Sequence, residues 1–170
     1  GERLERTRDA LDTQVQYGDH QLTLIDTAGI RRRGKIAPGI ERYSVLRSVR
    51  AIYRADVVFL LLDATELVAA QDTHIAGQVV DAYRGAVVLV NKWDLAPELG
   101  LDEAHSLRFI RSRLKFMPYA PIRMISALHG QGIGEALEAV LLVHEERGKR
   151  VTQRQLHSTV MAALAEHPPP

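Results

Sequence analysis

The chain contains no cysteine. This excludes a disulfide framework and a cysteine-ligated metal site, and it is compatible with a cytosolic protein. Long hydrophobic runs are also missing, because runs such as residues 57–62 have the length of a strand and fall far short of the roughly 20 residues that a membrane span needs. Residues 1–5 are polar and include no initiating methionine, so no signal peptide is indicated and we expect a cut end there.

The chain also lacks an excess of charge of either sign, since 22 lysine and arginine residues balance 21 aspartate and glutamate residues. Bulk charge therefore favours neither a nucleic-acid-binding protein nor a membrane-surface protein. Basic residues are nevertheless clustered at residues 31–35 and 147–154. With 170 residues, 46% of them apolar, the chain is long enough to form one sizeable core.

Strand and helix patterns alternate along the chain. Apolar runs and alternating patterns predict strands at residues 13–17, 21–25, 57–62, 86–90 and 122–125. Apolar residues at helical spacing predict helices at residues 40–54, 71–83, 102–114 and 134–146. The first two strands, joined by Gly18 and Asp19, predict an antiparallel hairpin. The remainder predicts an α/β fold with a doubly wound, mostly parallel sheet, which binds ligands at the carboxyl ends of its strands.

Three polar motifs lie directly after predicted strands. In chain order they are Asp26-Thr27-Ala28-Gly29, Asn91-Lys92-Trp93-Asp94 and Ser126-Ala127-Leu128. Asn-Lys-x-Asp at the end of a strand is how guanine-nucleotide proteins read their base. Each motif alone could be an ordinary polar loop, but three such motifs in this order are much less expected by chance. The sequence therefore predicts a guanine-nucleotide site at the carboxyl edge of the sheet.

Asp94 is predicted to set the base specificity. Its two carboxylate oxygens match the N1–H and N2–H₂ donors of guanine as a bidentate pair, which adenine lacks. Sites built around such hydrogen bonds reject the wrong ligand by roughly 10⁴–10⁵. Asn91 can meet N7 of the base and tie neighbouring loops together, while the aliphatic stem of Lys92 can cover one face of the purine. Trp93 is expected to point away from the base and to pack against the fold.

The loop at residues 26–30 is predicted to face the phosphates. Asp26 would orient Mg²⁺ through a water molecule, and Gly29, which has no Cβ, would let its N–H reach a γ-phosphate oxygen. Thr27 and Ala28 complete this loop. Ile30 stands where many G proteins place a glutamine that orients water, so hydrolysis would need another polar group, an ion or a partner. Asp-x-x-Gly loops are common, so this motif is weak by itself.

Thr7 is the predicted switch threonine. It precedes the hairpin, where its hydroxyl and carbonyl groups would contact Mg²⁺ and the γ-phosphate; the alternative is an exposed polar terminus. Thr7 and Gly29 are thus the predicted catalytic residues, and Thr7 and Asp26 are the predicted metal contacts. The seven histidines have no metal-ligand spacing, so none is assigned to a metal.

Two further segments are candidates for binding. Ser126-Ala127-Leu128 would offer the backbone N–H of Ala127 to O6 of guanine. As a tripeptide it is almost uninformative, and only its place after the last strand supports this assignment. Arg31-Arg32-Arg33-Gly34-Lys35 lies in the segment that should move with the γ-phosphate. Four cations in five residues suit contact with RNA phosphates, and a solvated switch loop is the alternative.

A phosphate loop of the form G-x-x-x-x-G-K-[ST] is absent from the 170 residues. In such a loop, backbone N–H groups, a lysine and a hydroxyl hold most of the charge of the nucleotide. We therefore expect a P-loop NTPase-type domain that lacks its first strand and its phosphate loop. We also expect that this polypeptide neither binds GTP tightly nor hydrolyses it. Its fold should be marginal, because a missing central strand leaves its neighbours unpaired.

Four segments, at residues 7–13, 26–35, 43–47 and 90–94, together closely resemble the second G domain of the Der (EngA) family of bacterial ribosome-assembly GTPases. The resemblance covers roughly residues 7–170, and it departs from the family at residues 5–9, where Glu-Arg-Thr-Arg-Asp replaces Gly-Thr-Thr-Arg-Asp. It implies a partial G domain over residues 1–148 and the beginning of a KH-like domain over residues 149–170. In that tail, Thr152 and Gln155 predict a capping box that opens a helix, which Pro168 would end.

The resemblance also implies a function. The family binds GTP and GDP, hydrolyses GTP, depends on Mg²⁺, is stimulated by K⁺ and matures the large ribosomal subunit through contact with rRNA. We expect a cytoplasmic, monomeric protein without membrane contact. One alternative is a G domain of the tRNA-modification or Era type, against which the arginine-rich switch and the tail argue. The other is a degenerate, non-hydrolysing G domain that serves as an rRNA- or protein-binding module.

Overall fold

The computed structural model describes residues 12–25, 49–149 and 152–166. Its strands are β1 (Thr13–Tyr17), β2 (His20–Leu24), β3 (Val57–Asp63), β4 (Gly85–Asn91) and β5 (Ile122–Met124). Its helices are α1 (Ala70–Asp81), α2 (Glu103–Arg113), α3 (Ile133–Gly148) and α4 (Gln153–Glu166), with a short 3₁₀ turn at Trp93–Leu95. Residues 49–54 are also helical, and the earlier part of the helix predicted at residues 40–54 lies outside the described residues.

The strands form two sheets within the described part of the chain. β1 and β2 pair as an antiparallel hairpin, as predicted. β3, β4 and β5 form a parallel sheet in that order, with α1 between β3 and β4 and α2 between β4 and β5. The register pairs Val57 with Gly85 at one end and Asp63 with Asn91 at the other. This confirms the predicted α/β class and places two polar side chains next to each other at the carboxyl edge.

β4 lies at the centre of the core. Residues Gly85 to Val90 are all buried, because strands flank β4 on both sides and helices cover both faces of the sheet. On one face, Val88 and Val90 belong to the larger core cluster with Val79 of α1 and Ile110 of α2. On the other face, a smaller cluster joins the sheet to α3. The continuous apolar run of β4 is thus the run expected of a strand buried on two sides.

Two local features mark where α2 and α3 begin. Asp102 caps α2, since its Oδ2 accepts a hydrogen bond from the N–H of His105 at 2.7 Å. Gly132 precedes α3 with φ of +74°, and a Cβ at this position would collide with the carbonyl oxygen of Met124. The close approach at Gly132 fixes the loop after β5, which carries the third sequence motif.

α4 begins with the predicted capping box. The N–H of Gln155 donates to Oγ1 of Thr152 at 3.3 Å, and the N–H of Thr152 donates to Oε1 of Gln155 at 3.0 Å. None of the residues of α4 is buried. The assignment of residues 149–170 to a second domain stays a prediction. Across the described ranges, no helix combines the length and apolarity that crossing a membrane requires.

Candidate functional site

The second and third sequence motifs meet at the carboxyl edge of β4 and β5. The N–H of Ile125 donates to the carbonyl oxygen of Val90 at 2.9 Å, and the N–H of Trp93 donates to the carbonyl oxygen of Ile125 at 3.0 Å. On the other side, the N–H of Ala64 donates to the carbonyl oxygen of Asn91 at 2.9 Å. Backbone hydrogen bonds therefore hold the loops after β3, β4 and β5 together.

Asn91, the last residue of β4, joins two of these loops through its side chain. Its Oδ1 accepts a hydrogen bond from the N–H of Lys92 at 2.8 Å and another from the N–H of Ala127 at 2.9 Å. Two N–H donors require an oxygen acceptor, so the amide orientation follows and Nδ2 is the donor of this side chain. The Ala127 N–H that the sequence assigns to O6 of guanine is thus engaged within the protein.

Asp94 lies in the 3₁₀ turn with one oxygen enclosed and the other near a histidine. Its Oδ1 is buried and has no hydrogen-bond partner among the described residues. Its Oδ2 lies 3.8 Å from Nε2 of His129, and the side chain is 21% exposed. An enclosed acceptor without a donor costs about 1–3 kcal/mol. The carboxylate of Asp94 is therefore incompletely satisfied by the described residues, and part of it remains exposed.

Lys92 reaches back across the edge of the sheet to β3. Its backbone is left-handed, with φ of 65°, and its Nζ lies 2.7 Å from Oδ2 of Asp63. Thr65 donates to Oδ1 of Asp63 from its N–H at 3.1 Å and from its hydroxyl at 2.8 Å. Burial raises the pKa of Asp63, but the hydrogen bonds from Lys92 and Thr65 outweigh it and lower the pKa from 3.8 to about 2. The ion pair holds Nζ of Lys92 beside the end of β3.

Sequence reasoning missed Asp63 and His129. Asp63 could have been found from the sequence, because it ends an apolar strand run as Asn91 does. Neighbouring parallel strands place such residues side by side. His129 follows the third motif, and its N–H donates to Oγ of Ser126 at 3.3 Å. Its approach to Asp94 depends on the fold of this loop, so the sequence alone contains no signal for it.

The remaining residues of the two motifs lie in different environments. Trp93 is partly buried and packs against the larger core cluster, which confirms the expected packing role. Ser126 is fully buried, and its backbone forms a two-way bridge with Gln131, N–H to carbonyl at 2.9 and 3.1 Å. Leu128 is 83% exposed. Ser126 therefore anchors the loop, while Leu128 projects from it.

The predicted phosphate-side residues lie outside the described residues; they are Thr7, Asp26, Thr27, Ala28, Gly29 and Ile30. The arginine-rich run at residues 31–35 lies outside them as well. In the ranges that the structure does describe, no three histidine, aspartate or glutamate side chains are grouped to hold a metal ion. The assignment of Mg²⁺ to Thr7 and Asp26 therefore stays a prediction.

Comparison with known proteins defines the class of this fold and site. The model of a family described as 50S ribosome-binding GTPase matches residues 1–92. Among solved structures, Era in complex with MgGDPNP and nucleotides 1506–1542 of 16S ribosomal RNA is similar, with a TM-score of 0.62 and 25% identity over 81% of this chain and 45% of that chain. The fold and the motifs at its carboxyl edge are thus those of a P-loop GTPase domain.

Curated relatives narrow the class to one family. GTPase Der of Chloroflexus aggregans is 47% identical over 163 residues, which cover 96% of this chain and 36% of the relative. GTPase Der of Chloroflexus aurantiacus is 53% identical over 132 residues, which cover 78% of this chain and 29% of the relative. The chain belongs to the GTPase Der family, as its motifs predicted. It spans about a third of the length of these relatives.

Proposed function

We propose that the carboxyl edge of β4 and β5 binds the guanine base of GTP or GDP. Asp94 would accept hydrogen bonds from N1–H and N2–H₂, Asn91 would donate from Nδ2 to N7, and the stem of Lys92 would lie against one face of the purine. The observation that carries this proposal is the carboxylate of Asp94, which is 21% exposed and whose Oδ1 has no donor within the described residues. Guanine supplies donors that this carboxylate lacks.

The same geometry favours guanine over adenine. A carboxylate only accepts, whereas adenine presents an acceptor at N1 and would leave the charge unpaired. Ala127 donates to Asn91 Oδ1 at 2.9 Å, so a contact with O6 of guanine would require this hydrogen bond to be shared or exchanged. Ser126 and Leu128 would position that N–H, and Trp93 would support the turn that holds Asp94.

An NMR titration of the 170-residue chain tests base recognition directly. Guanosine monophosphate at millimolar concentration should shift the amide resonances of residues 91–94 and 126–129, and adenosine monophosphate should not. Asp94→Ala should abolish these shifts, whereas Asp81→Asn, an exposed carboxylate at the end of α1, should retain them. Equal shifts with both nucleotides, or guanosine shifts that persist in Asp94→Ala, would refute the assignment.

We further propose that the longer protein to which these residues correspond hydrolyses GTP and acts in assembly of the large ribosomal subunit. The relatives named GTPase Der, the family described as 50S ribosome-binding GTPase, and the Era complex with 16S rRNA support this proposal. Thr7 and Gly29 would act in catalysis, Thr7 and Asp26 would hold Mg²⁺, and K⁺ would stimulate the reaction. The protein would act as a cytoplasmic monomer that contacts rRNA.

The 170-residue polypeptide should itself be inactive, because no phosphate-loop pattern occurs in its sequence. Calorimetric titration with GTP and Mg²⁺ should give no affinity in the micromolar range, and a phosphate-release assay should give no turnover. Micromolar or tighter binding would overturn this expectation. That result would not contradict the proposal that the site recognises guanine.

Two other functions remain as alternatives. An Era-type domain is disfavoured, since the solved Era complex is 25% identical to this chain and the Chloroflexus aggregans relative is 47% identical. A degenerate, non-hydrolysing G domain is favoured only by the absence of the phosphate-loop pattern from the 170 residues. The codons upstream of residue 1 decide this point: an encoded phosphate loop supports the GTPase, and a nearby start codon supports the binding module.

Residues 149–170 are proposed to open a second, KH-like domain. α4 has no buried residue within its described range, yet Leu156, Val160 and Leu164 recur every four residues and are 44–57% exposed. Such a stripe is the face by which an amphipathic helix packs against further structure. Limited proteolysis should cut near residues 149–152 first. Protection of this junction would contradict the boundary.

A further inference from the structure

A groove lies at the edge of the parallel sheet opposite the candidate base site. It is formed where β4 and β5 begin, against the last turns of α3, and it has a volume of about 570 Å³. Cavities that bind small ligands or parts of larger ones have volumes of about 300–1,000 Å³. We define the basic groove by five of its lining residues: Arg84, Tyr119, Arg123, Leu142 and Arg147.

The shape of this groove depends on a glycine at the start of β4. Gly85, the first residue of β4, lies so close to α3 that a Cβ would approach Cγ1 of Val143 to 2.7 Å and Cδ of Arg147 to 2.8 Å. The absence of a side chain at Gly85 therefore lets the end of α3 lie directly over the start of β4. This contact brings Arg147 to the strand ends.

Backbone carbonyl groups hold two of the arginines in place. Arg147 donates from Nη1 to the carbonyl oxygen of Asp56 and from Nη2 to that of Tyr83, the latter at 3.0 Å. Arg84 donates from Nη2 to the carbonyl oxygen of Tyr53 at 2.7 Å. A guanidinium group has five N–H donors, so these bonds orient the group and leave further donors for a ligand.

The positive charge of the groove is not neutralised within the described residues. Arg84, Arg123 and Arg147 donate to carbonyl oxygens there, and none of them forms an ion pair. Glu146, the acidic residue of the lining, is paired with Lys149. Three guanidinium groups with no carboxylate partner at one groove are a site for an anionic ligand.

An exposed aromatic ring lies beside these charges. Tyr119 is 56% exposed and Leu142 is 59% exposed, and both line the groove with the arginines. Burial raises the pKa of the Tyr119 hydroxyl, and the nearby charge of Arg147 partly offsets this. Proteins bind single-stranded nucleic acid by combining guanidinium contacts to phosphates with base stacking on aromatic rings. The carboxylates of an acidic peptide would use the charges, but they have no flat ring to stack on Tyr119 as a base does.

We propose that the basic groove binds single-stranded RNA, with the arginines on the phosphates and Tyr119 stacked on a base. This inference rests on the proposed function, because it gives a location to the RNA contact proposed there. The groove does not include the base site, which lies at the other edge of the sheet. Each neutralised phosphate contributes about 0.7 to the slope of log K against log salt concentration for a single strand. Three arginines in the groove should therefore contribute a slope of about 2.

Fluorescence anisotropy with a labelled 12-nucleotide oligouridine and the 170-residue chain tests this inference. Arg123→Gln is the main variant, because the guanidinium hydrogen bond of Arg123 goes to the carbonyl oxygen of the adjacent Ile122 and its loss should leave the fold intact. We expect affinity to fall about 5-fold and the salt slope to fall by about 0.7. Tyr119→Ala should weaken binding by roughly 5- to 150-fold with the slope unchanged.

The matched control is Arg108→Gln, which removes the same charge from an exposed position of α2 outside the groove. It should leave both affinity and slope unchanged, with circular dichroism confirming that each variant is folded. The proposal is overturned if Arg108→Gln and Arg123→Gln weaken binding equally. It is also overturned if the wild-type chain does not bind the RNA at 50 mM salt, or if oligoglutamate of equal length competes as well as RNA. Guanine recognition is measured separately by the nucleotide titration, so either proposal can fail alone.

Discussion

Replacement of Asn91 by alanine removes the acceptor that joins the loops after β4 and β5. Oδ1 of Asn91 accepts from Lys92 and Ala127 at 2.8 and 2.9 Å, and each such bond contributes about 0.5–1.5 kcal/mol. The expected loss in the free energy of unfolding is therefore about 1–3 kcal/mol. Because Asn91 is only half-buried, water can reach the freed N–H groups and the loss should lie in the lower half of that range.

Asn91→Asp is the matched control. Aspartate keeps an oxygen in place of Oδ1 but loses the Nδ2 donor. The two N–H donors therefore retain their acceptor, and we expect a loss below about 1 kcal/mol. Guanine binding in the nucleotide titration should nevertheless weaken in this variant, because no donor remains for N7.

Urea unfolding measures both variants, followed by circular dichroism and by the fluorescence of Trp93, the single tryptophan, which lies two residues from the substitution. The alanine variant should unfold at a lower urea concentration with an unchanged slope. An alanine variant as stable as the wild type, or an aspartate variant that loses as much as alanine, would show that Oδ1 does not join the loops.

Three further predictions concern the ion pair and two glycines. Lys92→Met should raise the pKa of Asp63 from about 2 towards 3.8, measured by NMR titration of its carboxyl group, and an unchanged pKa would contradict the pairing. The pKa of Asp63 in the folded wild type lies below 3.8, so its ion pair with Lys92 stabilises the fold above pH 3.8, and this stabilisation is lost as the pH falls towards 2. Because Lys92 is half-exposed, solvent screening reduces the stabilisation to about 1 kcal/mol. Gly132→Ala should destabilise the fold by about 1–3 kcal/mol in thermal unfolding, through its φ of +74° and the collision with the Met124 carbonyl. Gly77→Ala, within α1 and in open space, should instead stabilise it by about 0.5–1 kcal/mol, and equal effects at the two glycines would refute this account.

The parallel sheet could be predicted because apolar strand-length runs alternate with helical patterns along the chain, and its central strand, β4, is continuously apolar and buried from Gly85 to Val90. The strand ends differ slightly from the prediction. Asp63 and Asn91 are polar and end their runs in the sequence, but the parallel ladder continues through both. Ile125 is apolar yet lies outside β5. The extent of the paired ladder, rather than polarity, decides where these strands end.

The contacts within the site were less accessible to sequence reasoning. Strand-end motifs indicate which residues share an edge, and Asn91 and Asp94 were placed at the carboxyl edge in this way; their role in base binding stays a prediction. The pairing of Lys92 with Asp63 depends on strand order and on the left-handed backbone at Lys92, neither of which a local pattern contains. The contact between Asn91 and Ala127 likewise joins residues 36 positions apart. These side-chain partners follow from topology.

The most direct test of guanine recognition is the base preference of Asp94→Asn. Asparagine replaces one carboxylate oxygen with an N–H₂ donor, and xanthine carries an acceptor oxygen where guanine carries its N2 amino group. In NMR titrations of the chain, the wild type should prefer guanosine monophosphate, and the variant should prefer xanthosine monophosphate by at least about tenfold. A variant that still prefers guanosine monophosphate would contradict the central claim that Asp94 reads the amino edge of the base.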